Sequence, residues 1–255
     1  MRKIDRTGEI SYDKFGNKMT IIEYINANSI IVEFENGYKA KCKYEQFKNG
    51  NLNNPYNKTV LGVGYIGEGE YVPTKNKKAT RVYDVWRGMI RRCYEEKRQV
   101  MFPTYKGCSV CEEWLNFQNF AKWYNENYYE IEGDIMCLDK DILVKGNKIY
   151  SPNTCIFVPN RINCAFTKSN ASRGKYPIGV SFDKKSNKFR AYIDITKLKK
   201  KEMIHLGFFD TIEEAFNTYK IEKEKYIKQI ADEYKNRIPK KLYKAMYNYK
   251  VEITD

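Results

Sequence analysis

Apolar positions along the chain change their period twice, dividing it into three stretches. Near the N-terminus, Met19-Thr20-Ile21-Ile22-Glu23-Tyr24 and Ser29-Ile30-Ile31-Val32-Glu33-Phe34 are short runs rich in β-branched residues. They predict two strands after a turn at Gly16-Asn17. Glu35-Asn36-Gly37 predicts a tight reversal into a third strand over 38–42, because Asn-Gly tolerates the positive φ angles a hairpin needs. From Thr80 the period becomes helical: Val82, Tyr83, Val85, Trp86, Met89, Ile90 and Cys93 share one broad face, with Arg87, Arg91 and Arg92 elsewhere. A second helix is predicted over 111–124, with Trp114, Phe117, Phe120 and Trp123 as a core stripe. Residues 135–143 read as a strand, Lys145-Gly146-Asn147 as a turn and Tyr150-Ser151-Pro152-Asn153 as a loop. Cys155-Ile156-Phe157-Val158 follows as a short strand, and Pro159 opens a helix carrying Arg161, Ile162, Asn163 and Phe166. That succession is a ββα unit.

The last third has the clearest pattern. Over 188–195, Phe189, Ala191, Ile193 and Ile195 alternate with Lys188, Arg190, Tyr192 and Asp194, and 203–208 alternates again, with Ile204 and Leu206 inward and Met203 and His205 outward. Thr211 with Glu214 three residues on forms a capping-box signature. The helix it opens would bury Ile212, Ala215, Phe216 and Tyr219 against the sheet, leaving the other face polar. The glycine- and lysine-rich stretch from Gly62 to Lys78 reads as a linker, as does the Ser/Asn-rich 167–174. The expected fold is α+β: a small β domain (1–65), a linker (66–80), a helical plus ββα middle (81–166), a linker (167–174), and a three-stranded sheet packed on one helix (175–255), with the Tyr-rich tail folded back.

Charge changes the picture. Of 255 residues, 46 are Lys or Arg and 32 Asp or Glu, giving +14, and the excess is +4 over 1–80, +1 over 81–165 and +9 over 166–255. A basic, aromatic-rich final third suits a polyanionic partner, since Lys and Arg neutralise phosphates and release counterions. Duplex DNA is the expected partner, with RNA or a protein complex as alternatives and no membrane role. The single histidine, His205, excludes two-histidine zinc-protease helices and Cys₂His₂ fingers. It also leaves a Cys or Ser triad without support. Seven cysteines without a secretory leader lead us to expect reduced thiols and a cytoplasmic, intracellular protein. Cys108 and Cys111 have zinc-ligand spacing but no second pair, so buried thiols are expected rather than structural zinc. The glycines at 62–69 lack the Gly-Lys-Ser/Thr ending of a phosphate loop.

Two resemblances sharpen this. Tyr176-Pro177-Ile178-Gly179-Val180, Lys188-Phe189-Arg190-Ala191-Tyr192-Ile193 and His205-Leu206-Gly207-Phe208-Phe209-Asp210-Thr211 with Glu213-Glu214-Ala215 resemble the plant Apetala/ethylene-response-factor DNA-binding domain. That domain lays a three-stranded sheet in the major groove. The resemblance implies DNA contacts at Ser181, Asp183, Arg190, Tyr192, Asp194, Met203 and His205; Lys188, Lys199 and Lys200 are further candidate nucleic-acid-binding residues, and Lys140 and Arg161 are expected to touch phosphate. The ββα unit, with Arg81-Val82-Tyr83, Trp86-Arg87-Gly88-Met89-Ile90-Arg91-Arg92-Cys93-Tyr94 and Cys111-Glu112-Glu113-Trp114 ahead of it, resembles the HNH endonucleases that phages and mobile introns join to such domains. It implies magnesium or manganese at Asp139 and Asn163, with Asn153 orienting the loop. Lys140 stands where the general-base His belongs, and an ordinary lysine is protonated at neutral pH. Asp141 is then a candidate second ligand or base. Two functions follow: metal-dependent cleavage or nicking of duplex DNA, or a silent nuclease-derived DNA- or RNA-binding factor, such as a phage regulator or an inhibitor of a host defence complex.

Overall fold

The computed structural model of the chain describes residues 4–167, 174–197 and 200–255, with 196, 197, 200 and 201 described by backbone alone. Helix accounts for 33% and strand for 26%, spread over several small sheets, which makes the fold α+β. At the N-terminus, β1 (Ile10–Tyr12), β2 (Lys18–Asn26), β3 (Ser29–Phe34) and β4 (Lys39–Cys42) form an antiparallel meander closed by α1 (Tyr44–Lys48). Its alternation puts Met19, Ile21, Ile30, Val32 and Phe34 into a small core with Phe47. Gly37 makes the expected reversal at φ +85°. Sequence patterning alone had not indicated β1 or α1.

The stretch expected as a linker is docked. A Cβ at Gly67 would lie 2.2 Å from Asn116 Oδ1, and one at Gly69 2.3 Å from Gln118 Oε1. Between them, Gln118 accepts from the Tyr71 N–H and donates to the Tyr71 carbonyl, at 3.0 and 2.9 Å. Gly69 serves close backbone approach, and Gly67 serves it together with a left-handed backbone at φ +73°. A hairpin of β5 (Thr74–Lys75) and β6 (Lys78–Ala79) follows.

In the middle, α2 (Arg81–Tyr94) is capped by Thr80 and buries Trp86, Met89, Ile90 and Cys93. Then come α3 (Glu96–Met101), a 3₁₀ turn (Pro103–Tyr105), β7 (Ser109–Val110), a second 3₁₀ turn (Glu112–Leu115) and α4 (Phe117–Asn127). The single helix expected over 111–124 is thus interrupted at Asn116. Its Oδ1 accepts the Gln118 N–H and starts α4 afresh. Next, β8 (Met136–Asp139), β9 (Ile149–Tyr150), β10 (Ile156–Pro159) and α5 (Asn160–Ala165) complete the ββα unit. Strands β8 and β10 pair antiparallel with Asp139 opposite Ile156, while β9 pairs parallel with β7. The strand expected over 135–143 stops at Asp139, whose Oδ1 accepts the N–H groups of Asp141 and Ile142 and turns the chain out of the ladder.

The C-terminal sheet runs β11 (Val180–Asp183), β12 (Lys188–Lys197), β13 (Lys200–Phe209), all antiparallel, with α6 (Ile212–Tyr234) across it. Val180, Ala191, Ile193 and Ile195 face inward and are buried with Ala215, Phe216 and Tyr219. The capping box is present: Thr211 Oγ1 accepts the Glu214 N–H, and Glu214 Oε2 accepts the Thr211 N–H, both at 3.2 Å. Gly179 is required here, since at φ +76° a Cβ would fall 2.0 Å from the Tyr219 ring. The second half of α6 leaves the sheet and buries Ile227, Ile230, Ala231 and Tyr234, and α7 (Lys240–Tyr247) packs back on it. One continuous hydrophobic cluster runs from Trp86 to Val251, so the ββα unit and the sheet share a core. The connection expected at 167–174 lies, over 168–173, outside the described residues. Among the described residues no helix is long and apolar enough to cross a membrane.

Candidate nucleic-acid interface and acidic pocket

The outer face of the sheet is built by strand alternation. The register pairs Ser181 with Arg190, Arg190 with Phe208, Tyr192 with His205, and Asp194 with Met203. A bulge between Ala191 and Tyr192 shifts the register by one residue, which brings Phe208 onto this face beside His205, ring centroids 4.7 Å apart. His205, Met203 and Phe208 are exposed; Ser181, Arg190 and Tyr192 are half-buried. The Arg190 guanidinium lies 5.3 Å over the Tyr192 ring, and its Nε has no hydrogen-bond partner among the described residues.

Two of the surrounding cations are paired within the fold. Lys188 Nζ sits 3.1 Å from Asp210, at the edge of the face. Arg161 is engaged by Glu233 of α6, so its charge ties the ββα unit to the long helix. Tyr234 Oη donates to Asp134 at 2.9 Å beside it. Lys199 lies outside the described residues. Lys200 begins β13, and its side chain is not described.

The second feature is the acidic end of β8. Asp139 is largely withdrawn from water, and burial pushes its carboxyl up to about 6; neighbouring Asp141 adds to this, while the two backbone N–H groups and Lys140 oppose it. A carboxylate whose pKa is shifted by desolvation and a like-charged neighbour is a functional-site candidate. Lys140 is 7% exposed, with its Nζ 3.3 Å from Asp141 Oδ2 and 6.0 Å from the Tyr150 ring centroid. Its charge is therefore shared with Asp141 within the fold. Asn163 is half-buried on α5 and Asn153 exposed ahead of β10. Neither side chain makes a hydrogen bond among the described residues. The loop-holding role implied for Asn153 is carried by Asn147, whose Nδ2 donates to the carbonyls of Lys140 and Ile149, both at 2.7 Å.

Sequence reasoning gave no role to two arginines of α2 that reach the strands of the ββα unit. Arg81 donates to the Met136 carbonyl at 3.3 Å, and Arg92 Nε donates to the Tyr150 hydroxyl at 3.0 Å. Arg81, Gly88 and Arg92 are seven and four residues apart and so share one side of α2, a stripe that could have been read opposite the apolar face. Cys137, on the same side of β8 as Asp139, lies 3.5 Å from Asn160 Oδ1, and Cys164 lies 3.9 Å from the same atom. Cys93 is buried with its thiol pushed up to about 12, as is that of Cys155, so neither is a ready thiolate. All seven cysteines are free.

Magnesium uses one or two carboxylates and completes its octahedron with water and phosphate. Asp139 keeps Oδ2 clear of hydrogen bonds among the described residues, which fits a site of that open kind. No group of three or more His, Cys, Asp or Glu side chains able to hold a metal occurs among the described residues, so a closed, all-protein cage is not formed. Comparison with protein-family models, with curated proteins and with solved structures finds no match for this chain.

Proposed function

We propose that the chain binds duplex DNA through the outer face of the β11–β13 sheet. The observation that carries this reading is Arg190: a half-buried arginine lying over Tyr192 on the outer face of the sheet, beside exposed His205 and Phe208. Arginine reads guanine bidentately in the major groove, and a small antiparallel sheet has the width to enter it. The regional excess of +9 over 166–255 supplies the sequence-independent attraction to phosphate. The likeness to the Apetala-type pattern points the same way. Fluorescence anisotropy with labelled duplexes tests it: wild-type chain binds, and Arg190→Ala binds more weakly with unchanged folding. Equal binding by the two proteins at every salt concentration would refute the docking face.

A second reading is metal-dependent nicking of the bound duplex, favoured by the desolvated carboxyl of Asp139 on a ββα hairpin. Asp139 and Asn163 would hold magnesium or manganese, and the ion would supply Lewis acidity at the scissile phosphate. Lys140, engaged by Asp141, would stabilise charge rather than take a proton from water. Supercoiled plasmid incubated with either ion separates the readings: nicking that Asp139→Ala abolishes supports the enzyme, and retention without nicking supports the binder.

A further inference from the structure

The corner where α3 meets the 3₁₀ turn carries three consecutive apolar side chains facing solvent: Val100 at 74% exposure, Met101 at 71% and Phe102 at 44%. Exposed apolar runs rimmed by charge mark interaction sites. This corner is braced, not loose. The Phe102 N–H donates to the Arg98 carbonyl at 2.8 Å, the Tyr105 N–H to the Phe102 carbonyl at 3.1 Å, and Gln99 Nε2 to the Cys93 carbonyl. Pro103 fixes the backbone directly after Phe102.

The rim is cationic. Arg98 lies with its guanidinium 5.7 Å over the Phe102 ring, and its Nε has no hydrogen-bond partner among the described residues. Lys97 and Lys106 are exposed on either side, and Lys148 Nζ donates to the Thr104 carbonyl at 2.9 Å. Glu96 is the exposed acid beside them; Glu95 is occupied by Arg91 at 2.9 Å. The corner also connects to β9 through aromatic and cationic contacts: Phe102 to Tyr105 at 6.3 Å, Arg92 over Tyr105 at 5.9 Å, and Arg92 to the Tyr150 hydroxyl at 3.0 Å.

We propose that Met101 and Phe102 form an apolar wedge that inserts at a base step of bound duplex DNA, with Arg98, Lys97 and Lys106 on the flanking phosphates. Apolar side chains held on a rigid corner unstack a step and kink the duplex, at a cost recovered by the extra contacts the bend allows. The positive rim selects a polyanion over a second copy of this basic chain. The proposal rests on the duplex-binding reading above and adds a second contact remote in sequence from the sheet.

The test uses the full chain at low salt with a short duplex of alternating TA steps, whose pyrimidine–purine steps unstack most easily, carrying 2-aminopurine in place of adenine. Anisotropy reports binding and 2-aminopurine fluorescence reports unstacking in the same sample. Wild-type protein is expected to bind and raise the fluorescence. Met101→Ser/Phe102→Ser is expected to lose that rise while still binding; Met101→Ser alone, at a side chain 71% exposed, is expected to reduce the rise with an unchanged thermal melt, which separates the loss from any loosening of the Phe102–Tyr105 contact. A wild-type chain that binds without any rise overturns the wedge and leaves the sheet reading standing. A chain that does not bind the duplex at all overturns both. If sedimentation shows instead a dimer that the double variant dissociates, the corner is a self-association surface and the wedge is refuted.

Discussion

Asp139→Asn should make the protein more stable at neutral pH, although it removes a charged side chain from the centre of the candidate site. The carboxyl is pushed up from the ordinary 3.8 to about 6, chiefly by burial. The folded chain therefore holds the Asp139 proton over a range where the unfolded chain has lost it. Wherever the folded state binds more protons, unfolding free energy falls as pH rises. The contribution of Asp139 is thus neutral below about pH 4, becomes unfavourable between about pH 4 and 7, and levels off above that. A shift of roughly two units corresponds to about 3 kcal/mol at the plateau. Asparagine keeps an Oδ1 for the N–H groups of Asp141 and Ile142, so the turn that ends β8 is retained while the buried charge is removed. Urea unfolding of both proteins at pH 4 and pH 8 measures the difference directly, and the other titrating groups cancel in the comparison. The variant should match wild type within about 1 kcal/mol at pH 4 and exceed it by about 2–3 kcal/mol at pH 8. A variant that is equally stable at both pH values would show that the carboxyl is not desolvated. The same samples report on metal: if magnesium stabilises wild type at pH 8 and not the variant, the ion binds at this carboxylate.

Arg190→Ala should reduce duplex affinity and flatten the dependence of log K on log salt by about 0.9 if the guanidinium also neutralises a phosphate, as read by anisotropy across a salt series. Lys223 on α6 is held well below the usual lysine range, at about 8, by burial, with Asp194 opposing the shift. Its depressed value means the charged form is disfavoured in the fold, so Lys223→Met should stabilise the chain at pH 7, with a gain that shrinks as pH rises from about 8 to 10.5 in denaturant titrations. Gly179→Ala forces a Cβ against the Tyr219 ring at a positive φ, and should cost about 2–4 kcal/mol in chemical unfolding. A melt unchanged by that substitution would mean the lead into β11 is not packed on α6.

The parts of the fold legible in the sequence were those set by local periodicity. Strict alternation over β12 and β13 announced which side chains line the core, and the Thr211–Glu214 box announced where α6 begins. The ββα succession followed from turn residues and short apolar runs. What stayed hidden depended on side chains meeting backbone from a distance. Gly67 and Gly69 look like tether residues until Asn116 and Gln118 are seen against them, and no pattern in 66–80 reveals that. The break at Asn116 was hidden by aromatic spacing that runs through it unaltered. The bulge at Tyr192 moves Phe208 to the outer face, which a period of two cannot anticipate.

The candidate site was legible in its acids and not in its cations. Asp139, Lys140 and Asp141 were singled out by position, and the pairing of Lys140 with Asp141 explains how a lysine is tolerated there: the strand ends at Asp139, and the next two residues neutralise each other at its mouth. Arg81 and Arg92 lie eleven residues apart on α2, a helical spacing, while their targets, the Met136 carbonyl and the Tyr150 hydroxyl, lie some fifty residues further on. A carboxylate raised by desolvation and by Asp141 is held at an energetic cost that a bound cation or a bound proton would relieve. Stability of wild type and Asp139→Asn, measured with and without magnesium, therefore bears on function as well as folding. It asks whether the cost is met by a ligand or only tolerated by a scaffold whose remaining task is to hold DNA.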